Sequence, residues 1–256
     1  MVKCVAGGDR ERHSRSPPLA DMSYVASTTI VALATAWWST LVSSIWLHRC
    51  LAHRSWAPGR ALTLVFHAST WCLTGIRPSE WVAVHRAHHR YVDREGDPHS
   101  PAILGRVSVL FGNVLLYRRW LATHGSEVVS GYTRDLPALP LTILDHQRWA
   151  KPVGLALTTS AIALWFGSWS AGFAWIALHV VVTSLLAGSV NSLCHPSFGS
   201  AGQPRDRSLL ALITWGEGWH GTHHRRPTVA RLRRFGRDPG WLVIRLAIGL
   251  RLASAG

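Results

Sequence analysis

From Pro152 to Val190 the chain runs for 39 residues without an Asp, Glu, Lys or Arg. About 20 apolar residues cross the hydrocarbon core of a bilayer, so this run exceeds one crossing and has to fold back on itself. Gly167 and Gly172 bracket the break, which predicts a hairpin of two short spans, about 152–168 and 171–190. A second uncharged run, residues 22–47, is long enough for one span and too short for two. Three other apolar stretches are shorter or carry arginines: 61–76, 102–123 with Arg106, Arg118 and Arg119, and 240–252 with Arg245 and Arg251. They read as membrane-associated helices. Residues 124–151 read as a polar loop. Residues 1–21 read as a disordered basic tail. A signal peptide fits poorly, because the polar stretch is long and the apolar run after it exceeds an h-region. The expected fold is an all-α integral membrane protein, with residues 22–254 as a single domain.

Composition agrees. Charged residues make up 16% of the chain, against about 25% in a soluble domain, yet the formal net charge is +14 and there are 14 tryptophans. Few charges with a Lys/Arg excess suit a membrane protein with a large cytoplasmic face. A nucleic-acid binder is also basic, but the apolar runs and the tryptophans argue against that partner. Cys4, Cys50, Cys72 and Cys194 are scattered and form neither a disulfide framework nor a zinc-finger pair.

The chemistry is carried by nine histidines in four groups: His48 and His53 in HRCLAH, His85, His88 and His89 in HRAHH, His195 in NSLCH, and His220, His223 and His224 in HGTHH. Imidazole is the commonest nitrogen ligand for first-row metals, and one ion rarely takes more than six ligands, so nine imply two ions. Positions i, i+3 and i+4 share a helix face, so each H-x-x-H-H triplet projects together. His48 and His53 are about 140° apart on an ideal α-helix. They fit a helix end where the backbone turns, or a pair straddling two metals. The alternative is that these are ordinary histidines of a basic protein, which two separate triplets plus an H-x4-H make hard to sustain.

Topology gives an independent check. One span precedes the first group, and two separate the second group from His195, so all four lie on one side. That side also holds Arg49, Arg54, Arg86, Arg90, Arg225, Arg226, Arg231, Arg233 and Arg234, as expected for cytoplasm. The result is a cytoplasmic, histidine-rich helical cap holding a dimetal site; a single leading span would put the basic N-terminal tail on the opposite side, so either that segment does not cross fully or the tail is tolerated outside.

HRCLAHRSW, EWVAVHRAHHRYVDREGDPHS, NSLCH and GEGWHGTHH resemble the histidine boxes of membrane fatty acid desaturases of the stearoyl-CoA type, over roughly residues 40–120 and 185–252. The resemblance implies two Fe ions held by His48, His53, His85, His88, His89, His195, His220, His223 and His224, with Asn191 reaching a metal through water. It implies O2 as co-substrate and an external electron donor. Three features depart from the pattern: room for one span rather than two before the first box, Gly221 where asparagine is usual, and Arg226 in place of the aromatic before Pro227. None removes a ligand. They bear on the substrate channel and the redox partner.

An unactivated acyl C–H bond is beyond any side-chain base, because the carbanion is too unstable, whereas nitrogen-ligated iron suits redox cycling with O2. Loss of two hydrogens gives an alkene. Transfer of oxygen instead gives an alcohol, so a hydroxylase is the enzymatic alternative, and a metal transporter the non-enzymatic one. The arginines among the boxes repel cations and disfavour transport. The chain has no C-x-x-C-H or G-x-G-x-x-G, so an acidic electron carrier, a ferredoxin or a cytochrome b5-like protein, is expected to dock on the arginine-rich face. The resemblance implies a long acyl chain carried as a thioester of coenzyme A or acyl carrier protein. Arg86, Arg225 and Arg226 are candidates for its anionic end, though they also suit lipid headgroups, which leaves phospholipid acyl chains open. Glu217, Glu80, Asp93 and Asp97 either accept hydrogen bonds from ligand imidazoles or pair with arginines; Glu217, three residues before His220, is the one singled out. His99 reads as a loop or substrate-contact residue, His67 and His179 as core histidines, His13, His124 and His146 as surface residues. Trp37, Trp38, Trp165 and Trp169 read as interface anchors or packing.

Overall fold

The computed structural model describes residues 19–141, 149–200, 202–233 and 237–255. The first 18 residues of the expected tail lie outside these, as do His13, His146 and Arg234. From Leu19 onward the chain is helical: α1 (Leu19–Val42) continues without a break into a π-helical segment, Ser43–Ala52. Then come α2 (Arg60–Thr74), α3 (Pro78–Tyr91), the short α4 (Pro101–Leu104) and α5 (Arg106–Thr133). After these follow α6 (Ala150–Trp165), α7 (Trp169–Leu193), α8 (Ser208–Ile213), α9 (His220–Arg225) and α10 (Pro239–Gly249).

The expected run 22–47 lies within the helix Ser23–Ala52, of 30 residues, and the second half of the hairpin within Trp169–Leu193, of 25 residues; both are long and apolar enough to cross a membrane. The first half of the hairpin is α6, at 16 residues shorter than such a span. The hairpin breaks at Phe166–Ser168, with Gly167 in the left-handed region, while Gly172 falls inside α7. The stretch expected at 102–123 divides at Gly105 into α4 and α5, and α5 runs on through a kink at Gly125 into the region read as a polar loop.

α1 packs on α7, α7 on α6, α6 on α2 and α2 on α1, which closes a four-helix bundle. α3 and α5 lie against each other, α5 against α7, and α3 against the π-helical segment. The α5–α7 contact is close because Gly188 faces the Leu110 carbonyl, where any Cβ would collide with backbone. α1 and α7 run parallel: Thr35 Oγ1 and His179 Nδ1 meet at 3.0 Å midway, and both chains deliver histidines at their C-terminal ends. Trp37 and Trp38 flank the middle of α1, Trp149 and Trp165 stand exposed at the two ends of α6, and Trp169 opens α7. Tyr24 packs edge-on against Phe166.

The one departure from an all-helical chain among the described residues is a two-stranded antiparallel ribbon, β1 (Trp56–Pro58) with β2 (Ala253–Ala255). It returns the C-terminal segment to the residues just after His53. There the main apolar core gathers Ile45, Trp46, Leu47, Leu51, Trp56 and Ile244.

Candidate metal centre

The four histidine groups meet, and they sort into two sets. His48, His53, His85, His89 and His223 form one; His88, His195, His220 and His224 form the other. Contact within each set is between Nε2 atoms. In the first, His48–His223 is 3.0 Å, His53–His85 2.8 Å and His89–His223 2.9 Å. In the second, His195–His220 is 3.0 Å, His220–His224 3.1 Å and His88–His224 3.3 Å. Neighbouring ligands at right angles around one ion, at a metal–nitrogen distance of roughly 2.1 Å, stand about 3 Å apart. The spacing therefore fits two nitrogen-ligated ions, one per set.

The backbone explains the sorting. His48 and His53 join the same set because the segment is wound as a π-helix: the His53 amide donates to the His48 carbonyl at 3.1 Å, an i to i+5 bond that stacks the two residues. The 140° expected of an α-helix does not apply, and the pair does not straddle the sets. In both triplets the i, i+4 pair stays together and the i+3 residue crosses over. His85 and His89 enter the first set and His88 the second, whereas His220 and His224 enter the second and His223 the first. Adjacent residues such as His88 and His89 point about 100° apart, so one helix reaches both sets.

Three carboxylates back the imidazoles from the Nδ1 side. Glu217 Oε2 lies 2.7 Å from His48 Nδ1 and its Oε1 accepts from Ser44 Oγ at 2.6 Å. Asp97 is 3.0 Å from His88 Nδ1 and Asp93 2.9 Å from His195 Nδ1. Glu217 thus serves His48, not the nearby His220. Glu80 serves none of them: it binds Lys151 at 2.6 Å and Arg77 at 3.3 Å. Among the described residues only Arg54, Asp93, Trp215 and Arg251 are non-glycines with positive φ. The first three adjoin His53, contact His195, and precede Glu217, so backbone strain collects at the centre.

Burial, and then repulsion from neighbouring imidazoles, hold His53, His85, His220, His223 and His224 well below the usual imidazole range. His89 is pushed down to about 2 for the same reasons. These rings are neutral near pH 7, with lone pairs free for a metal. Burial alone would raise Glu217, but His48 and Arg49 beside it hold it below the ordinary carboxylate value. Burial raises Asp97.

Arg49, expected at the surface, is fully buried. Its guanidinium binds both oxygens of Asp238 at 2.9 and 3.0 Å and the carbonyls of Ala230 and Trp215. Asp238 also caps α10 through the Trp241 amide. Gly216, at φ 99°, leaves the room this pair needs. The interaction escaped sequence reading, although Asp238-Pro239 before an apolar run is a recognisable helix start. Arg86 is also engaged within the chain, by Asp135 and by the carbonyls of Leu51, Ala52 and Tyr132. Arg225 and Arg226 are exposed.

A cavity of about 470 Å³ adjoins both sets, with His85 and His220 in its wall. Asn191 and His99 line it too; Asn191 Nδ2 donates to Asn113 Oδ1 at 2.9 Å, and His99 stacks on His88. His179 is buried between Thr35 and the Leu73 carbonyl, and His67 receives the Leu141 amide, so both sit in the core. His124 is exposed and stacks on Trp120.

A family model described as fatty acid desaturase matches residues 24–234. The chain is 30% identical over 231 residues to a hex-5-enoyl-[acyl-carrier protein] acetylenase of Moorena producens (strain JHB), covering 77% of this chain and 71% of that one. It is 31% identical over 225 residues to the Delta-9 desaturase-like 2 protein of Arabidopsis thaliana, covering 81% and 69%. It is 30% identical over 225 residues to an icosanoyl-CoA 5-desaturase of Limnanthes douglasii, covering 81% and 58%.

Proposed function

The chain belongs to the fatty acid desaturase family, and from that premise we propose that it is an O2-dependent diiron desaturase of a long-chain acyl thioester. The observation that carries the reading is the pair of facing Nε2 sets bordering one cavity through His85 and His220. Two irons, when bound, supply the oxidising power that an unactivated C–H bond demands, drawing on O2 and on two electrons from an external carrier. His48, His53, His85, His89 and His223 would hold one ion and His88, His195, His220 and His224 the other, and Asn191 would reach a metal through water. Glu217, Asp97 and Asp93 keep the Nδ1 proton on three of these rings and so present Nε2 to the metal. The cavity holds the acyl chain beside both sets and keeps bulk water from it.

Relatives named for acyl-CoA and for acyl-carrier-protein substrates support a thioester. The exposed Arg225 and Arg226 offer charge to its phosphates or to an acidic carrier protein. The single domain 22–254 sits in the membrane through Ser23–Ala52 and α6–α7, with α2, α5 and α10 at its surface and the centre on the cytoplasmic face, where an acidic ferredoxin or cytochrome b5-like carrier docks.

Expression with iron and a compatible reductase tests this. A new monoenoic fatty acid, lost in His223→Ala, together with about two irons per chain, is the expected result. A histidine-dependent hydroxy acid turns the reading to a hydroxylase, and a single tightly held zinc without histidine-dependent product overturns it.

A further inference from the structure

Carboxylates fix three of the nine rings through Nδ1, those of His48, His88 and His195. The helix that bears the third box has no such help. The Nδ1 atoms of His220 and His223 are buried and have no hydrogen-bond partner among the described residues. Nor can α9 hold itself in place. It is six residues long, its N-cap residue Trp219 makes no side-chain capping bond, and His220, His223 and His224 occupy half of it. Isolated helices shorter than about 12 residues are unstable in water. The direction of these rings therefore depends on whatever grips the backbone of α9.

The segment from Pro204 to Arg207 supplies that grip. The Arg205 amide donates to the Cys194 carbonyl at 2.7 Å, one residue before His195, and the Arg207 amide donates to the Gly218 carbonyl at 2.7 Å, two residues before His220. Between them Asp206 reaches into α9. Its Oδ1 accepts from the Thr222 amide and its Oδ2 from Thr222 Oγ1, both at 2.7 Å. The same hydroxyl accepts from Arg225 Nη2 at 3.1 Å. The segment lies flat on the helix because residue 221, where this chain departs from the usual asparagine, is glycine; a Cβ there would collide with the Pro204 carbonyl oxygen. Three consecutive residues thus splint the turn that carries His195 to the helix that carries His220 and His224, three of the four members of the second set.

We propose that Asp206 is a positioning residue for the metal centre: by clasping Thr222 it orders α9 before any ion arrives and presents His220, His223 and His224 ready formed. This rests on the metal-centre reading above and adds to it the residue that holds the third box. Asp206 does not line the cavity, so it acts on the centre through the helix alone. Because α9 feeds both sets, loss of the clasp loosens both ions.

The Asp206 side chain is 22% exposed, so its replacement tests the clasp without opening the core. Two measurements on the purified full-length protein in lipid nanodiscs are needed. One is hydrogen exchange of the metal-free protein, read by mass spectrometry on peptides covering residues 218–226. The other is affinity for iron(II) in competition with a chelator. Asp206→Ala is expected to speed exchange in those peptides while α1 and α7 stay protected as in wild type. It is also expected to weaken iron binding at least about tenfold, the worth of one hydrogen bond to a charged group. Thr222→Val, which keeps the shape and loses the hydroxyl, moves both readouts the same way by less, and Thr222→Ser returns them toward wild type. A residue that only stabilised the fold would speed exchange throughout and show no rescue that follows the hydroxyl. Should Asp206→Ala fold poorly, the Thr222 pair reads the same clasp. Unchanged iron affinity in the folded variants overturns the proposal, whatever the exchange. A wild type that holds no iron through its histidines removes the metal reading instead, and exchange over residues 218–226 still judges the clasp.

Discussion

At the scale of single residues, the carboxylates decide which nitrogen of a ring is free. A histidine whose Nδ1 proton is held by Asp or Glu presents its Nε2 lone pair, and loss of such a partner typically costs 10–100-fold in metal affinity. Asp93→Asn, Asp97→Asn and Glu217→Gln are each expected to weaken metal binding by about that factor in a chelator competition, whereas Glu80→Gln leaves it unchanged because Glu80 binds Lys151 and Arg77. Equal effects from all four would contradict the assignment. The depressed histidines also set a pH dependence. Unfolded imidazoles protonate near pH 6.5, while the folded ones resist, His89 down to about 2 and His99 to about 3. Below 6.5 the unfolded chain thus binds more protons, so the metal-free fold is expected to be stable above that value and to weaken progressively as pH falls through it. Thermal unfolding across mildly alkaline to mildly acid buffers reads this, and a flat profile would refute it. The six histidines of the two H-x-x-H-H triplets were legible in the sequence because their spacing is itself helical, whereas His48, His53 and His195 were legible only as boxes of the resemblance. Arg49 was not: its neighbours in the chain look like a membrane surface, and its partner Asp238 lies 189 residues away.

At the scale of elements, the π-helical turn and the crossed triplets were the illegible part. Sequence spacing assumes 3.6 residues per turn, and the extra residue per turn between Val42 and His53 comes from tertiary packing that no local pattern announces. Each triplet was read as projecting together, whereas its i+3 member crosses to the other set; which member reaches which set depends on where a second helix approaches. Because α3 and α9 each supply both sets, ordering either helix for one ion also orders ligands for the other. Filling is expected to be cooperative, with the one-ion species scarce at half saturation. Native mass spectrometry during an iron titration measures that population, and a dominant one-ion peak would show the sets to be independent.

For the whole molecule, the long apolar runs announced the two long helices, and Gly167 announced the break between α6 and α7, while Gly172 falls inside α7. The C-terminal ribbon was hidden, because three-residue strands leave no periodic signal, and so was the closure of α2 and α6 into the bundle. The tryptophans at either end of α6 carry a mechanical implication. From Trp149 to Trp165 a helix rises only about 24 Å, several ångströms less than the roughly 30 Å hydrocarbon core of an average bilayer. If α6 crosses the bilayer as proposed, with its indoles at the headgroup level on both sides, the protein would deform a thick membrane and rest undeformed in a thin one. Thermal stability in a series of phosphatidylcholines of increasing chain length is expected to peak among the shorter members; a peak among the longest would mean that the indoles do not mark the two interfaces. A protein gauged in this way would be sorted by lipid thickness, gathering where the surrounding acyl chains are short or kinked by unsaturation.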